Sequence, residues 1–332
     1  MRVSHNRAMA NPDDSVAPAR PVRLLGIGHV AVDHQFNLPD WPTLPSQPGK
    51  VAARRYGASV GGMTANACVA AARLGARVAF ASPVGDDEDA ERFRQHFVRE
   101  GVDATGLLRI PGAASSVSAV LVDGRGERLI VTRRGDALLR APELSATRLP
   151  AALAAADLLL TDARCPAWAE GALRLARAAG IASVLDVDTS PPEDLRRLVP
   201  LADWAVFSAP GLAAWAGQDT DAPAAEAQAL AAALASGARV AAVTRGEAGV
   251  AWLRPGAAVQ RLPACAVAPV VDTTGAGDVF HGALGVALAE GLADAEALRF
   301  AATAAALKCL KPDGVMGAPR RGEVLRRLAA AA

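Results

Sequence analysis

Residues 77–101 read RVAFASPVGDDEDAERFRQHFVREG, and this stretch places a predicted strand directly before a predicted helix. The apolar run 77–85 ends on Gly85, which is typical of a buried strand that closes in a turn. Acidic residues then open a helical pattern that ends at Gly101. The run VRLLGIGHVAV at 22–32 predicts a further buried strand. This alternation favours an α/β fold in which helices cover a mostly parallel sheet.

A different pattern interrupts the alternation at 115–134, where two β-rich runs flank DGRG at 123–126 and indicate a hairpin. Together with 33–60, this hairpin predicts a small β-sheet lid beside the α/β domain. The predicted division is a disordered tail (1–21), an α/β core (22–33, 61–113 and 136–326) and a β-lid (34–60 and 114–135). Within the core, strands are predicted at 156–162, 181–187, 203–207 and 239–244, and helices at 63–74, 167–179, 210–216, 223–236, 277–290 and 294–308.

Composition and charge exclude several classes of protein. Hydrophobic residues make up 52% of the 332 residues, which suffices for a large buried core and excludes a wholly disordered chain. Thirty-five basic and thirty-four acidic residues leave a net charge of +1, so no overall field attracts nucleic acid or a membrane. The sequence has neither a transmembrane run nor a secretory signal, which predicts a cytoplasmic protein. Four widely spaced cysteines predict neither a disulfide nor a metal site.

The segment DTTGAGDVFHG at 272–282 carries the strongest chemical signal. Gly275 and Gly277 allow a tight turn at the start of a predicted helix, where unpaired N–H groups and the helix dipole form an anion site. Asp278 lies in the first turn of that helix, where its carboxylate can accept a hydrogen bond or a proton. A plainer interpretation stays open, in which the glycines only form the turn and Asp278 only caps the helix.

Two further glycine-containing turns are candidate binding segments. Gly61 and Gly62 precede a helix of small residues, which lets a ligand approach the backbone, and Asn66 offers a donor and an acceptor to a hydroxyl. TRGEAG at 244–249 follows a predicted strand and is suited to a nucleotide phosphate or ribose. Each segment also has a purely structural interpretation, helix packing for the first and an ordinary β-turn for the second.

These segments resemble the signatures of the PfkB (ribokinase-type) carbohydrate kinases: DTTGAGD at 272–278, and GGMTAN at 61–66 followed by AAARLG at 70–75. VGDDEDAERFRQHFVREGVD at 84–103 continues the resemblance, which extends over about 22–325. It implies a ribokinase-like three-layer α/β/α sandwich with a β-sheet lid, and a homodimer formed through that lid. It also implies a kinase that uses ATP to phosphorylate a hydroxyl of a small-molecule sugar, with Mg²⁺ as cofactor and K⁺ as a further candidate.

The resemblance also assigns roles to residues by their position. The assigned residues are Asp278 as catalytic base; Gly275, Ala276 and Gly277 as the anion hole; Asp33, Gly62 and Asn66 as contacts of the substrate hydroxyls; Thr244, Gly246 and Gly249 as the nucleotide pocket; and Asp272 and Thr274, with backbone carbonyls near 306–316, as ligands of a monovalent cation. General chemistry agrees with this arrangement, because phosphoryl transfer depends mainly on positioning and charge stabilisation. In this scheme closure of the lid excludes water.

Two departures from the family pattern concern the substrate and the metal. Met63-Thr64 stands where ribokinases proper have Lys-Gly, which argues against recognition of plain ribose. SAPG at 208–211 replaces an Asn-x-x-Glu motif that is tied to magnesium and phosphate in the family. The metal is therefore expected from the use of ATP rather than from this motif.

Within the family, the chain looks most similar to the sulfofructose kinase branch. The stretches that carry this likeness are DTTGAGDVFHGAL (272–284), RFAATAAALKC (299–309), LLLTDARCP (158–166) and LDVDTSPPEDL (185–195). Lys50 and Arg164 stand where that branch has cationic groups for the sulfonate, and Thr132 stands where it has asparagine. The expected acceptor is therefore a ketose, with a 6-sulfo or 6-phospho sugar as the anionic option. Pairing of Arg164 with Asp162 or Asp188 is the alternative.

Other functions stay open on the sequence alone. A kinase of a neutral sugar such as fructose or ribose fits the same motifs, as does a nucleoside kinase that stacks the base on Phe36, Trp41 or Tyr56. GIGHVA at 26–31 suggests a dinucleotide-dependent oxidoreductase, although the Pro-rich stretch after it predicts no helix. A catalytically silent sugar-binding protein would have lost the acidic residue or the glycine turn, and both are present. His281 is expected to be a satisfied or solvent-facing histidine rather than a second base.

Overall fold

The computed structural model describes residues 20–38, 50–124 and 128–330, and the strands of this part form two separate sheets. The strands are numbered in chain order. From one edge to the other, the strands of the large sheet are β13 (Gln260–Leu262), β12 (Val250–Leu253), β11 (Val240–Thr244), β10 (Trp204–Ser208), β9 (Ala182–Val187), β8 (Leu158–Asp162), β1 (Arg23–Ile27), β4 (Arg77–Val84) and β5 (Val102–Arg109). Neighbours run parallel, except that β12 is antiparallel to both β11 and β13. The predicted α/β fold with a mostly parallel sheet is confirmed.

Helices cover both faces of the large sheet because its central strands are apolar on both sides. In β8 every residue is buried, with Leu158 and Leu160 in one core and Leu159 in the other, as the two-residue period of a strand requires. The helices are α1 (Met63–Arg73), α2 (Glu88–Arg99), α3 (Ala137–Arg140), α4 (Leu149–Ala154), α5 (Pro166–Ala179), α6 (Pro192–Leu198), α7 (Ala209–Ala216), α8 (Pro223–Ser236), α9 (Ala276–Ala289), α10 (Asp294–Cys309) and α11 (Arg321–Ala329). Side chains of α1, α2, α9, α10 and α11 fill the first core, and those of α4 to α8 fill the second. The result is a three-layer α/β/α sandwich.

The small sheet is built from the two segments that the sequence analysis predicts as a lid. Its strands, in spatial order, are β3 (Arg55–Gly61), β2 (Ala31–Asn37), β6 (Ser116–Val122) and β7 (Arg128–Arg133). β6 and β7 pair antiparallel, which confirms the predicted hairpin at 115–134. β2 pairs antiparallel with β3 and parallel with β6, so the two lid segments of the sequence meet at its centre.

The prediction of one strand over 22–32 is wrong, because the chain leaves the large sheet at Ile27 and enters the small sheet at Ala31. The change of direction occurs beside Gly28, where an added Cβ would lie 2.4 Å from Oδ2 of Asp162. A strand rather than a helix follows Gly28, so GIGHVA lacks the helix that a dinucleotide fingerprint needs.

The other predicted elements are present, with ends shifted by at most two residues. The structure adds elements that the sequence analysis does not predict, namely β5, β12, β13, α3, α4, α6 and α11. Residues 1–19 of the predicted tail lie outside the described residues, and the domain boundaries stay a prediction. Among the described helices, none has both the length and the apolar character needed to cross a membrane.

Candidate active site

The two signature segments meet where α1 packs against α9. Asn66 in α1 donates from its Nδ2 to Oδ2 of Asp278 in the first turn of α9, across 2.7 Å. These residues are 212 positions apart in the sequence. The fold therefore brings together two residues that the family resemblance assigned to one site.

The loop before α9 has the geometry of an anion-binding turn. Gly275 precedes the helix in the left-handed conformation, with φ of 76°, which favours glycine. Ala276 N donates to Thr273 O at 3.2 Å, so its amide already has a long bond within the loop. Gly277 is exposed, and a Cβ placed there would have no neighbour within 4 Å. A phosphate oxygen thus has room above the first N–H groups of α9, which lack intrahelical acceptors.

Asp278 is a weaker acid than an ordinary aspartate. Burial is the main cause, and the neighbouring charge of Asp186 adds to it, so the pKa of Asp278 rises to about 7. The hydrogen bond from Asn66 opposes this rise because it favours the ionised form. A carboxylate with this pKa is well matched to proton transfer near neutral pH.

Two further carboxyl groups lie at the ends of adjacent strands beneath this loop. Asp162 and Asp186 are register partners in β8 and β9, and both are buried. Burial, followed by the charges of Asp162 and Asp188, holds the pKa of Asp186 well above its usual range. Thr64 of α1 donates its N–H and its Oγ1–H to Oδ2 of Asp162, at 3.1 and 2.5 Å. Sequence analysis did not single out this arrangement, because strand register decides which carboxylates become neighbours.

His281 connects these carboxyl groups with the glycine loop. Its Nδ1 lies 2.8 Å from the carbonyl oxygen of Gly277 and 3.3 Å from Oδ2 of Asp186, and its Nε2 lies 3.4 Å from Val206 O. Burial lowers the pKa of His281, which keeps the ring neutral. The sequence analysis expected His281 to be either hydrogen-bonded within the protein or exposed to solvent. The structure shows the first, since the ring is buried.

The small sheet contributes a row of polar side chains in register. Asp33 of β2 stands opposite Ser118 of β6, and Ser118 Oγ lies 3.1 Å from Thr132 Oγ1 of β7. Burial raises the pKa of Asp33. Gly62 has φ of 121°, and a Cβ there would lie 2.3 Å from His29 O, so this position next to α1 requires glycine.

The two cationic candidates differ in their surroundings. Arg164 follows β8, where its N–H donates to Asp162 Oδ1 at 2.8 Å and its Nη2 donates to Asp188 Oδ2 at 3.1 Å. Of the two pairings that the sequence analysis left open, with Asp162 or with Asp188, the side chain of Arg164 therefore makes the one with Asp188. Lys50 is exposed and directly follows residues 39–49, which lie outside the described part of the chain.

The nucleotide candidates lie at the end of β11, on the edge of the sheet where the parallel strands β8 to β10 also end. Thr244 donates from Oγ1 to Phe207 O at 3.3 Å. Gly246 and Gly249 both have positive φ, of 54° and 89°, and a Cβ on Gly249 would lie 2.1 Å from Leu262 O. The glycines are thus needed for the turn itself, whatever it binds.

Asp272 joins the glycine loop to the segment after α10. Its Oδ1 accepts from Thr274 N at 2.8 Å and its Oδ2 from Gly314 N at 2.9 Å. Lys308 of α10, whose side chain is completely buried, donates from Nζ to Asp272 O at 2.6 Å and lies 3.0 Å from Oδ2. Burial pushes the pKa of Asp272 upward, but donation from Thr274, Gly314 and Lys308 outweighs it and lowers the pKa to about 2. Lys308 was missed, although a lysine inside the apolar helix AATAAALKC is a visible signal.

Comparison with known proteins identifies the family of this chain. The model of the pfkB family carbohydrate kinases matches residues 23–320. The chain belongs to the pfkB family of carbohydrate kinases. As a pfkB kinase it is a phosphotransferase with an alcohol group as acceptor, which confirms the predicted family and enzyme class. Family membership also decides against the oxidoreductase interpretation.

The relatives of this pfkB kinase include several ribokinases. It is 29% identical over 305 residues to the ribokinase of Haemophilus influenzae, which covers 91% of this chain and 97% of that protein. A protein from Agrobacterium tumefaciens that is assigned as a ribokinase is 34% identical, with a TM-score of 0.84 over 94% of this chain and 99% of that structure. Arabidopsis thaliana ribokinase, solved with ribose and ATP, has a TM-score of 0.83 over 93% of this chain and 99% of that structure. At 24% identity, this last likeness supports the fold alone.

Proposed function

We propose that this pfkB kinase transfers the γ-phosphoryl group of ATP to a hydroxyl of a ketose or a related sugar. The observation that carries the proposal is the contact between Asn66 and Asp278 at the start of α9. It places a carboxylate with a pKa of about 7 beside a glycine turn that is open to an anion. A base and an anion site in one place are what transfer to an alcohol needs.

In this proposal Asp278 is the catalytic base, and the amides of Gly275, Ala276 and Gly277 form the anion hole. Asp278 takes the proton of the attacking hydroxyl, while Asn66 holds the carboxylate and presents its remaining polar atoms to the sugar. The Gly277 amide contributes most to the anion hole, because Ala276 shares its N–H with Thr273 O. Charge on the transferred group is thereby stabilised by groups that are already in position.

The sugar would lie between the start of α1 and the polar row of the lid. Asp33 and Thr132 supply acceptors and a donor from the small sheet, and Gly62 allows the ring to approach the backbone. Closure of the small sheet onto the core would exclude water, which limits loss of ATP by hydrolysis. Thr244, Gly246 and Gly249 are proposed to line the nucleotide side at the end of β11.

Mg²⁺ is proposed to enter with the nucleotide. Across residues 20–38, 50–124 and 128–330, no group of three or more His, Cys, Asp and Glu side chains is arranged to hold a metal ion. At position 211, which the family fills with glutamate, a Cβ on Gly211 would lie 2.0 Å from Val187 O. The protein therefore lacks room for that side chain, and ATP phosphates would be the main ligands. When bound with ATP, Mg²⁺ offsets the phosphate charge.

An anionic ketose is the second candidate acceptor, favoured by two arginines around His29. Burial lowers the pKa of His29, and the charges of Arg134 and Arg164 lower it further while Asp162 opposes them. Both guanidinium groups are therefore close enough to His29 for their charges to act on its ring. His29 Nε2 is buried and has no hydrogen-bond partner in the described part of the chain. A 6-sulfo or 6-phospho group would have to compete with Asp188 for Arg164, with Lys50 as a third cation.

A homodimer through the lid is proposed from the outer face of the small sheet. Tyr56, Phe36, Leu121 and Leu129 are successive register partners across β3, β2, β6 and β7, so they form one apolar row. Tyr56 is 57% exposed and Leu129 is 50% exposed. An exposed apolar row across a whole sheet is typical of a surface that a second copy covers.

Dependence on ATP favours a cytoplasmic location, which fractionation would test.

The acceptor is tested by measuring ADP release with Mg·ATP and a panel of fructose, ribose, inosine and 6-sulfo and 6-phospho ketoses. We expect a sugar to turn over with the highest kcat/KM, and Asp278→Asn to reduce that value by about a hundredfold or more. Asp103→Asn, at an exposed position of β5, is the matched control and should leave kcat/KM unchanged. A purine nucleoside as best acceptor, or full activity of Asp278→Asn, would contradict the proposal.

Arg164→Gln separates the two acceptor classes. If an anionic ketose is the substrate, this variant loses kcat/KM for the anionic sugar by about tenfold or more and keeps it for the neutral one. Equal turnover of neutral and anionic ketoses by the unmodified enzyme would exclude the anionic candidate and leave the neutral sugar.

A further inference from the structure

A lysine ammonium occupies the place where a monovalent cation is expected in this kinase. Lys308 is completely buried in α10, and its Nζ lies 2.6 Å from Asp272 O and 3.0 Å from Asp272 Oδ2. The sequence analysis assigned Asp272, together with backbone carbonyls near 306–316, to such a cation. A carboxylate and a backbone carbonyl are oxygen ligands that suit either an ammonium or a K⁺ ion.

The position of this ammonium connects it with the glycine loop. Asp272 Oδ1 accepts from Thr274 N, and its Oδ2 accepts from Gly314 N. A Cβ on Gly275 would lie 3.2 Å from Val315 N, so the two loops are in direct contact. One buried positive charge therefore lies at the junction that sets the path of residues 272–277.

A K⁺ ion cannot bind the same oxygen atoms while the ammonium is in place. Nζ already lies within contact distance of both Asp272 oxygens that face α10, and two positive charges a few ångströms apart in a buried place repel each other strongly. A buried ammonium also needs its partners, since an unpaired charge would be costly to keep away from water. Asp272 and Lys308 thus satisfy each other without an ion from solvent.

We propose that Lys308 is a built-in monovalent cation, which braces the glycine loop so that this kinase works without K⁺. Lys308 is a positioning residue, because it acts through Asp272 and the loop. The inference rests on the proposed role of residues 275–277, while the lysine–aspartate contact is a feature of the fold. The family resemblance implied a K⁺ ion at Asp272 and Thr274. The present proposal is instead that the activity of this kinase does not depend on K⁺.

The first test uses the unmodified enzyme at constant ionic strength. KCl replaces tetramethylammonium chloride stepwise, and kcat, KM for ATP and the melting temperature are measured. We expect each kinetic constant to change by less than about twofold, and the melting temperature to be the same in both salts. Saturable activation by K⁺, or a melting temperature that rises with K⁺ alone, would overturn the proposal.

The second test removes the ammonium and supplies a cation from solvent. Lys308→Ala should lower kcat by about tenfold or more in tetramethylammonium chloride, and K⁺ or NH₄⁺ should restore at least part of it and raise the melting temperature. Lys308→Met retains more of the side-chain volume and replaces the alanine variant if that one does not fold. Lys311→Ala removes a half-exposed lysine that pairs with Glu323, and it should show no cation dependence.

The outcomes separate this proposal from the proposed function. A Lys308 variant that keeps full activity without added cations, or one that is impaired and gains nothing from K⁺ or NH₄⁺, would overturn the built-in cation. The melting temperatures do not depend on phosphoryl transfer, so they decide the cation question even if the acceptor panel fails. Conversely, the Asp278→Asn result concerns the proposed function alone.

Discussion

Nδ1 of His281 lies 3.3 Å from Oδ2 of Asp186, directly beneath the first turn of α9. Both side chains are buried, and the same nitrogen lies 2.8 Å from the carbonyl oxygen of Gly277. Both ring nitrogens face a carbonyl oxygen, which can only accept, and Gly277 O is nearer to Nδ1 than Val206 O is to Nε2, so we place the proton of the neutral ring on Nδ1. The pair therefore lies on the inner side of the turn whose amides are proposed to face the γ-phosphate, and it supports that turn.

Loss of the imidazole should therefore loosen the glycine turn. For His281→Ala we expect kcat to fall by about tenfold, because the base remains while the anion hole is less well positioned. The unfolding free energy should fall by about 2–4 kcal/mol, from a lost buried hydrogen bond and a cavity. Steady-state kinetics and urea unfolding measure both. His281→Asn keeps a donor and should recover much of kcat, whereas wild-type kcat in the alanine variant would contradict the positioning role.

Asp278 should destabilise the fold when it is ionised. Its pKa rises from 3.8 to about 7 on folding, so the folded state holds the proton more tightly and loses stability as pH rises from about 4 to 7. Asp278→Asn removes this penalty. Above pH 7 the variant should be more stable than the wild type by up to about 4 kcal/mol, with the difference narrowing toward pH 4. Urea unfolding at several pH values checks this, and a difference independent of pH would count against it.

Parts of this site could be predicted because their residues carry local signals. The glycine turn, the start of its helix and Asp278 lie within seven consecutive residues, 272–278, and backbone preferences and the helix dipole act over that range. The parallel core was also predictable, since the period of apolar residues reports each strand and helix separately.

The rest depends on packing between distant segments. The neighbours Asp162 and Asp186 follow from the register of β8 and β9, and Lys308 meets Asp272 only because α10 packs beside the loop. The run 22–32 looks like one strand because both of its halves are apolar, while the chain changes sheets beside Gly28, where the Asp162 carboxylate leaves no room for a Cβ. Such contacts have no signature in the local sequence.

The bond from Asn66 to Asp278 should set the acid limb of the pH–rate profile. Because this bond favours the ionised carboxylate, Asn66→Leu should raise the pKa of Asp278 above about 7 and move the limb of kcat/KM to higher pH. The loss of rate should be greatest at acidic and neutral pH and smaller in alkaline buffer. An unchanged limb with a raised KM for the sugar would assign Asn66 to substrate binding alone.

Gly62 should tolerate no side chain, because a substitution there would combine backbone strain with a steric clash. Its φ of 121° disfavours other residues, and a Cβ would lie 2.3 Å from the backbone oxygen of His29. Gly62→Ala should lower the unfolding free energy by about 3 kcal/mol or more. Gly101→Ala is the matched control, since Gly101 has φ of 75° with open space around it and should cost only about 1 kcal/mol. If both variants lost the same unfolding free energy, backbone strain alone, without the steric contact at His29, would account for the loss in Gly62→Ala.

The apolar row of the small sheet should control self-association. Leu129 lies on β7, the edge strand of that sheet, and its neighbour in the row is Leu121. Leu129→Lys places a charge in the surface that a second copy is proposed to cover, and burying an unpaired charge is unfavourable. We expect light scattering to give a dimer for the wild type and a monomer for Leu129→Lys at the same concentration. Leu139→Lys, at a residue that is 88% exposed outside the small sheet, should remain dimeric. A monomeric wild type, or a dimer that survives Leu129→Lys, would move the contact away from this row.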